Sequence, residues 1–265
     1  MSKRNRNRVQ PRPQAQPRPG MAHPTTGNPI CLAIPLGEMV PTPFVLHELD
    51  TFIHALPNAS AIHAHGSYHQ NTANQLVKDA LAMPNWKYLC FYEHDMVPPK
   101  FWLERVKQYD PSKHHIVGNM YFRRNKDDMR PIPGRWSDPS KRAYRALQYE
   151  EVEYMLSHPG FHPVDCCGLG ATAISREVLE KWDPEMIPWF HTPIGPDAKE
   201  NPALCESHDV YFMRNAQAQG FNVLVDSACI SDHYGWFPYG LHIYRQGWYN
   251  TKRRELTQRA LEIAA

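Results

Sequence analysis

The chain has 265 residues, which suits one large domain or two small ones. Its longest apolar runs, such as ICLAI at 30–34, fall far short of the roughly 20 residues that a membrane span requires. No signal-peptide pattern opens the chain, and its six cysteines include no C-x-x-C pair. We therefore expect a soluble, cytoplasmic protein without a membrane span, whose cysteines are reduced and packed.

The formal net charge of +2 hides an uneven distribution. Residues 1–28 hold six of the 29 basic side chains and no acid, so the remainder carries 23 basic against 27 acidic side chains. The same stretch is rich in Pro, Gln and Asn, which cannot offset its ordering entropy. It predicts a disordered basic tail, which is either a solubilising segment or a contact for an acidic partner.

Short apolar runs alternate with longer amphipathic stretches from residue 29 onward, a pattern that predicts strands joined by crossover helices. Predicted strands cover 29–35, 59–65, 87–92, 114–122, 164–175 and 221–233. Predicted helices cover 42–56, 71–83, 98–109, 146–157, 176–182, 208–220 and 253–265, and 123–142 is predicted to be a polar surface loop. The helix at 71–83 has the strongest pattern, with one apolar face formed by Ala73, Leu76, Val77, Ala80 and Leu81.

Glu93 and Asp95 directly follow the predicted strand KYLCFY and precede Pro98 and Pro99. In open α/β sheets, ligands bind outside the carboxyl ends of the strands. Two carboxylates separated by one residue can point into the same cleft, and oxygen ligands suit Mg²⁺ or Mn²⁺. An alternative is that these are solvated charges at a strand end.

Two later segments carry further candidates. Asp209 stands at the start of a predicted helix, where it is either a first-turn carboxylate favoured by the helix dipole or a catalytic base, with Glu206 as the second candidate. His233 follows a short apolar strand. Together with Asp95 it could complete a metal site, although a lone histidine is more often a surface or hydrogen-bonded core residue.

The order of these motifs resembles the GT-A fold nucleotide-sugar glycosyltransferases, especially the small family-two-like members of bacteria and bacteriophages. The resemblance rests on YLCFYEHDMVPPKF, VDCCGLGATAISREVLEKW, ESHDVYFMRNAQAQGFNVLVD and DHYG, and it covers about 29–236. It implies an α/β fold, namely a single GT-A (Rossmann-like) domain at 29–240 with a mostly parallel mixed sheet flanked by helices. Residues 241–265 would form a C-terminal helical extension. For a phage-encoded protein the compartment would be the host cytoplasm.

The resemblance also implies roles for individual residues. Asp95 and His233 look like metal ligands, and Glu93 looks like a second metal or ribose contact. Asp209 matches the catalytic base, with Glu206 in the place of the other acid. The positions that would approach the donor or its sugar are Pro35, Asn74, Gly168, Gly170 and Trp236. Ala73 stands where the family often has an arginine, and an acceptor groove or lid would use 123–145, the segment from Trp189, and the stretch from Tyr234 with Trp236, Arg245 and Lys252.

The implied activity is an inverting, metal-dependent transfer of a sugar from a nucleoside-diphosphate donor, with a UDP-sugar favoured, to a hydroxyl acceptor, for which a protein is one candidate. Three alternatives remain open at this point. They are a retaining transferase on the same fold, a metal-dependent hydrolase that also uses His208, and a non-catalytic domain that binds its partner through the basic tail.

Overall fold

The computed structural model describes residues 30–36, 60–65, 69–124, 129–137, 144–185, 188–192, 207–234 and 238–247. The tail at 1–28 and the helices predicted at 42–56 and 253–265 lie outside these residues. The strands are β1 (Ile30–Leu36), β2 (Ser60–His65), β3 (Tyr88–Tyr92), β4 (Met96–Val97), β5 (Ile116–Met120), β6 (Gly134–Trp136), β7 (Tyr144–Ala146), β8 (Phe161–Pro163), β9 (Ala171–Ser175), β10 (Val223–Ile230), β11 (Asp232–Tyr234) and β12 (Pro238–Tyr239). The helices are α1 (His69–Leu81), α2 (Trp102–Val106), α3 (Tyr149–Ser157), α4 (Arg176–Glu180), α5 (His208–Ala218) and α6 (241–247).

A seven-stranded sheet forms the centre of the described part of the chain, in the order β2-β1-β3-β9-β5-β10-β8. β1 pairs in parallel with β2 and β3, and β10 pairs in parallel with β5. β9 runs antiparallel between β3 and β5, and β8 runs antiparallel at the edge beside β10. The predicted mostly parallel mixed sheet is confirmed, and the fold is Rossmann-like α/β.

Both faces of this sheet are buried, and the described residues form an apolar cluster on each face. Cys31 and Ala33 of β1 pack in one cluster with Leu76 and Val77 of α1. Their neighbours along the strand, such as Leu32, pack in the other cluster with residues of α2. Because successive strand residues point to opposite faces, a strand that is covered on both sides reads as a continuous apolar run.

Most predicted elements are present, but several differ in extent. The helix predicted at 71–83 begins at His69 and buries its predicted apolar face, apart from the half-buried Leu81. The strand predicted at 164–175 joins the central sheet only from Ala171, because the backbone of Asp165 and Cys166 bonds to Gly134 of β6, outside that sheet. The loop predicted at 123–142 contains β6, which pairs with β7 in a separate two-stranded sheet. Strands of three residues carry too little pattern to be predicted.

Two further findings concern the described residues alone. None of their helices is both long and apolar enough to cross a membrane. The five cysteines among them are buried thiols, as expected.

Candidate functional site

The carboxyl ends of β3, β5 and β10 lie at one edge of the central sheet, because these strands run in the same direction. The residues that follow them are Glu93 and Asp95 after β3, Tyr121 to Arg124 after β5, and His233 after β10. The tertiary fold therefore gathers side chains from three segments at the edge where α/β folds bind ligands.

A tight turn after β3 sets the position of Asp95. The amide of Glu93 donates to the carbonyl of Gly170 at 2.9 Å, and the amide of Met96 donates back to the carbonyl of Glu93 at 3.0 Å. Met96 then pairs with His233 in the small sheet formed by β4, β11 and β12, and the amide of Tyr234 donates to the carbonyl of Asp95 at 2.6 Å. This pairing brings the acidic turn beside His233.

Asp95 and His233 face each other in an arrangement suited to a cation. Nε2 of His233 lies 3.4 Å from Oδ2 of Asp95, while Nδ1 lies 2.9 Å from the carbonyl oxygen of Phe122. Because a carbonyl can only accept, Nδ1 carries the proton of the neutral ring, and Nε2 then faces the carboxylate as a second acceptor. Either a proton on Nε2 or a positive ion between the two groups makes this contact favourable.

Asp95 also has an oxygen without a hydrogen-bond partner in the described part of the chain. The residue is only 7% exposed, and its Oδ1 atom is buried and unsatisfied. Burial by itself raises the pKa of Asp95, but a protonated His233, through its hydrogen bond and charge, together with Arg124 and His94, outweighs it and lowers that pKa. A buried carboxylate with an unused oxygen is costly unless a ligand engages it.

Glu93 is partly buried beside other acids. Burial, followed by the charges of Asp95 and Asp209, raises the pKa of Glu93 to about 8, while Arg124 acts in the opposite direction. Asp209 is thus close enough to Glu93 for their charges to interact, although 116 positions separate them in the chain. The candidate base and the acidic turn belong to one site.

Asp209 lies in the first turn of α5. Within the described residues, Ser207 Oγ and the amide of Val210, the latter at 2.9 Å, donate to its Oδ1 atom. Its charge also contributes to the raised pKa of the buried Tyr121 and, after burial and Cys166, to that of Tyr144. The helix start therefore holds the carboxylate through one oxygen, and its charge acts on groups near the acidic turn.

The residues present fit a divalent cation at Asp95 and His233. A metal-bound histidine commonly donates its other ring N–H to a backbone carbonyl, as Nδ1 does here to Phe122. In the described part of the chain, no group of three His, Cys, Asp or Glu side chains is arranged around a common metal position. The carboxylate suits Mg²⁺ or Mn²⁺, and two protein ligands leave positions for substrate phosphates and water. The imidazole suits a transition metal better than Mg²⁺.

Two residues of this site were not predicted from the sequence. Arg124 Nη1 lies 2.8 Å from Oδ2 of Asp95, and Tyr121 is buried beneath the acidic turn with its hydroxyl accepting from the amide of Gly170 at 3.2 Å. The only signal for Arg124 was its place shortly after a strand that ends at the ligand-binding edge. The polar composition of the predicted loop concealed it.

Gly168 and Gly170 do not leave open space for a ligand. Both are buried, and a Cβ on Gly168 would overlap the hydroxyl of Tyr121. A Cβ on Gly170 would lie 2.9 Å from Cγ of Met96 and 3.2 Å from Cζ of Tyr121. The tyrosine and the methionine thus occupy the volume that a side chain would need at these glycines, and contact of their backbone with a substrate stays a prediction.

Hydrogen bonds from the Asn74 side chain join α1 to the segment at 188–192. Its Nδ2 donates to the carbonyls of Phe190 at 2.7 Å and Gln70 at 2.8 Å, and its Oδ1 accepts from the amide of Phe190 at 3.1 Å. These bonds use both hydrogens of the amide, so the structure assigns Asn74 a structural role. Contact with a nucleotide stays a prediction.

The remaining candidates are only partly described. Pro35 lies near the carboxyl end of β1, at the same edge as the acidic turn. Arg245 forms a two-pronged ion pair with Glu153 at 2.9 and 3.0 Å, so in this structure it binds α3 and not the site. Glu206, Trp236 and Lys252 lie outside the described residues.

His208 stacks on His69, with ring centroids 6.1 Å apart, at the point where the starts of α5 and α1 meet. Burial, with a smaller contribution from His69, lowers the pKa of His208 against the opposing effect of Asp209. His114 and His115 precede β5 and therefore lie at the opposite edge of the sheet.

The described residues form a Rossmann-like α/β fold with an acidic turn at the carboxyl edge of its sheet. No family model matches the sequence, and no curated protein matches it. Among solved structures, the chain is similar to A197 from STIV, with a TM-score of 0.53 over 78% of this chain and 85% of that chain. The two sequences are 18% identical, so the likeness establishes the fold alone.

Proposed function

We propose that this chain is a metal-dependent glycosyltransferase of the GT-A type, which moves a sugar from a nucleoside-diphosphate donor to a hydroxyl acceptor. The observation that carries the proposal is the unsatisfied, buried Oδ1 of Asp95 beside His233, within electrostatic reach of Glu93. Asp209 completes the set, since its charge acts on the same Glu93.

Asp95 and His233 would hold the divalent cation, Mn²⁺ or Mg²⁺. When bound, such an ion acts as a Lewis acid on the phosphate oxygens of the leaving diphosphate. Glu93 would contact the ribose or the ion. Pro35 and the end of β1 would border the nucleotide at the same edge.

Asp209 would act as the general base. The acceptor oxygen bonds to the anomeric carbon, the bond between that carbon and the diphosphate breaks, and the acceptor proton passes to the carboxylate. Ser207 and the amide of Val210 hold Oδ1 of Asp209, which leaves Oδ2 for the proton. General-base catalysis by a positioned carboxylate contributes about 10²- to 10⁴-fold.

A sugar-nucleotide screen tests the proposal directly. Thermal unfolding is measured with Mn²⁺ and each of a panel of UDP-, GDP-, CDP-, ADP- and dTDP-sugars, since a ligand of the folded state raises the apparent stability. We expect one nucleotide class, UDP first, to raise the melting temperature only when Mn²⁺ or Mg²⁺ is present. No shift with any nucleotide would contradict a donor site.

Activity and stereochemistry form the second stage of the test. The donor identified by the screen is incubated with and without candidate hydroxyl acceptors, which separates transfer from hydrolysis. EDTA should abolish transfer and added Mn²⁺ or Mg²⁺ should restore it. NMR of the anomeric centre then distinguishes the inverting reaction proposed here from a retaining one.

A further inference from the structure

We infer that Arg124 is a substitute cation, which occupies Asp95 while the divalent ion is absent and turns to the diphosphate when the ion and the donor bind. This inference rests on the proposed function. Arg124 Nη1 lies 2.8 Å from Oδ2 of Asp95 and donates to the carbonyl of Tyr234 at 3.2 Å. Its side chain therefore covers the acidic turn from the solvent side.

Arg124 and a bound ion would compete for the same oxygen. Oδ2 of Asp95 is the atom approached both by the guanidinium, at 2.8 Å, and by Nε2 of His233, at 3.4 Å. An ion held between the aspartate and the histidine would thus lie beside the positive charge of Arg124. Like charges at such a distance repel, and the repulsion is weakly screened because Asp95 is 7% exposed.

The arginine can leave without disturbing the backbone. Its side chain is 46% exposed, whereas that of Asp95 is 9% exposed, so the guanidinium enters the site from the surface. The backbone before it is anchored, because the amide of Arg123 donates to the carbonyl of Arg130 at 3.0 Å and the amide of Ile132 donates to that of Tyr121 at 2.9 Å. A rotation of the side chain alone therefore releases Asp95.

A diphosphate supplies the new partner for the released guanidinium. Phosphate oxygens on the bound ion would lie beside Asp95, within the reach of a side chain already held there. Arginine binds phosphate with two parallel hydrogen bonds, which makes it well suited to this exchange. The diphosphate thus removes the competition between Arg124 and the ion, and the affinities for the two ligands become coupled in both directions.

The test measures Mn²⁺ affinity by titration calorimetry or electron paramagnetic resonance, with and without saturating UDP. We expect Arg124→Gln to bind Mn²⁺ about tenfold more tightly than wild type in the absence of UDP, because the competing charge is gone. UDP should tighten Mn²⁺ binding less in Arg124→Gln than in wild type. The ratio of the Mn²⁺ affinity with UDP to that without UDP should be at least about fivefold smaller in the variant. Arg124→Lys keeps the charge and should bind Mn²⁺ more like wild type.

Arg145→Gln is the matched control. Arg145 is 43% exposed and forms an ion pair of 2.7 Å with Glu151, so it resembles Arg124 in exposure and geometry but is bound to a different acid. Its variant should show the wild-type Mn²⁺ affinity and the wild-type effect of UDP. A tenfold gain in Mn²⁺ affinity in Arg145→Gln as well would overturn the inference, since it would show that the gain comes from the change in overall charge and not from Arg124.

Asp95→Asn separates failure of the inference from failure of the proposed function. One outcome overturns the Arg124 inference but leaves the metal site intact. In it, wild type binds Mn²⁺, Asp95→Asn does not, and Arg124→Gln has the wild-type Mn²⁺ affinity both with and without UDP. If neither wild type nor Arg124→Gln binds Mn²⁺ with or without UDP, both are overturned. Weaker Mn²⁺ binding in Arg124→Gln would also overturn the inference, since it would make the arginine a support of the site and not a competitor.

Discussion

The imidazole of His233 points Nε2 at Oδ2 of Asp95 across 3.4 Å, while the carbonyl of Phe122 holds its Nδ1. Removal of either partner should therefore remove a cation ligand. We expect His233→Ala and Asp95→Asn each to weaken Mn²⁺ binding on the order of 100-fold, at the upper end of what loss of a supporting residue costs a metal site. Titration calorimetry with MnCl₂ measures this.

His158→Ala is a suitable control for this pair, because His158 is exposed at the end of α3. It should bind Mn²⁺ as wild type does. Wild-type Mn²⁺ affinity in both Asp95→Asn and His233→Ala would refute the metal site.

Asp209→Asn distinguishes a catalytic base from a helix-start carboxylate. If Asp209 is the catalytic base, its replacement by Asn should lower the rate about 10²- to 10⁴-fold and preserve nucleotide binding. A carboxylate that only complements the helix dipole gives a stability loss of about 0.3–1 kcal/mol and no kinetic effect. We expect the first result in kcat, together with a small decrease in the free energy of unfolding.

Glu177→Gln provides the comparison for Asp209, because Glu177 is the first-turn acid of α4, is half-buried as Asp209 is, and pairs only with Lys181 among the described ion pairs. It should lower stability by a similar small amount and leave transfer intact. Full transfer by Asp209→Asn would rule out the base assignment.

Gly168 is predicted to tolerate no side chain while Tyr121 is present. A Cβ there would overlap the tyrosine hydroxyl, so Gly168→Ala should lower the free energy of unfolding by about 1–3 kcal/mol. Tyr121→Phe removes that hydroxyl, and in the Gly168→Ala background it should recover at least about 0.5 kcal/mol. Urea unfolding of the two single variants and the double variant measures the coupling.

Gly247→Ala controls for the intrinsic effect of replacing glycine, since a Cβ at Gly247 meets nothing within 4 Å. It should be neutral or slightly stabilising. Strict additivity of Gly168→Ala and Tyr121→Phe would show that the two residues do not constrain each other.

Asn74→Ala tests whether this residue is a structural clamp or a nucleotide contact. Its loss would leave the amide and carbonyl of the buried Phe190 without their partner, which should cost about 1–3 kcal/mol of stability. Gln75→Ala, which removes only an exposed bond to Asp79, should cost less than about 0.5 kcal/mol. A loss of UDP affinity in Asn74→Ala without a loss of stability would instead favour the nucleotide contact.

His208 should make stability depend on pH. Burial lowers its pKa from the ordinary value of 6.5, so the folded protein favours the neutral ring. The contribution of the neutral His208 to the free energy of unfolding is fully present above pH 6.5. It is lost as the pH falls from 6.5 toward the lower pKa of the folded state, because the unfolded chain takes up the proton first. His208→Gln should therefore flatten the decrease in unfolding free energy below pH 6.5, by up to about 1.4 kcal/mol per pH unit.

Urea unfolding at intervals between about pH 5 and 7.5 covers the window around the ordinary histidine pKa. His158→Gln, at an exposed position, should keep the wild-type slope. An unchanged slope in His208→Gln would show that the ring is not held neutral by the fold.

The sequence by itself predicted those features that depend on neighbours a few positions apart. The apolar face of α1, from Ala73 to Ala80, follows from helical spacing, and the buried β3 follows from a continuous apolar run. The sequence also predicted that Glu93 and Asp95 follow the end of a strand and that Asp209 lies in the first turn of a helix. Local periodicity and strand or helix ends are properties of the chain itself.

Only the tertiary structure decided which of these residues meet. His233 contacts Phe122 across 111 positions, and Asn74 contacts Phe190 across 116, so no local pattern could reveal either pairing. Gly168 and Gly170 pack against Tyr121 of a different segment, a contact that no local pattern predicted. The sequence predicted Arg124 only as one polar residue of a surface loop, and the tertiary structure shows its ion pair with Asp95. Contacts between distant segments depend on the packing of the whole sheet, which the spacing of residues along the chain does not contain.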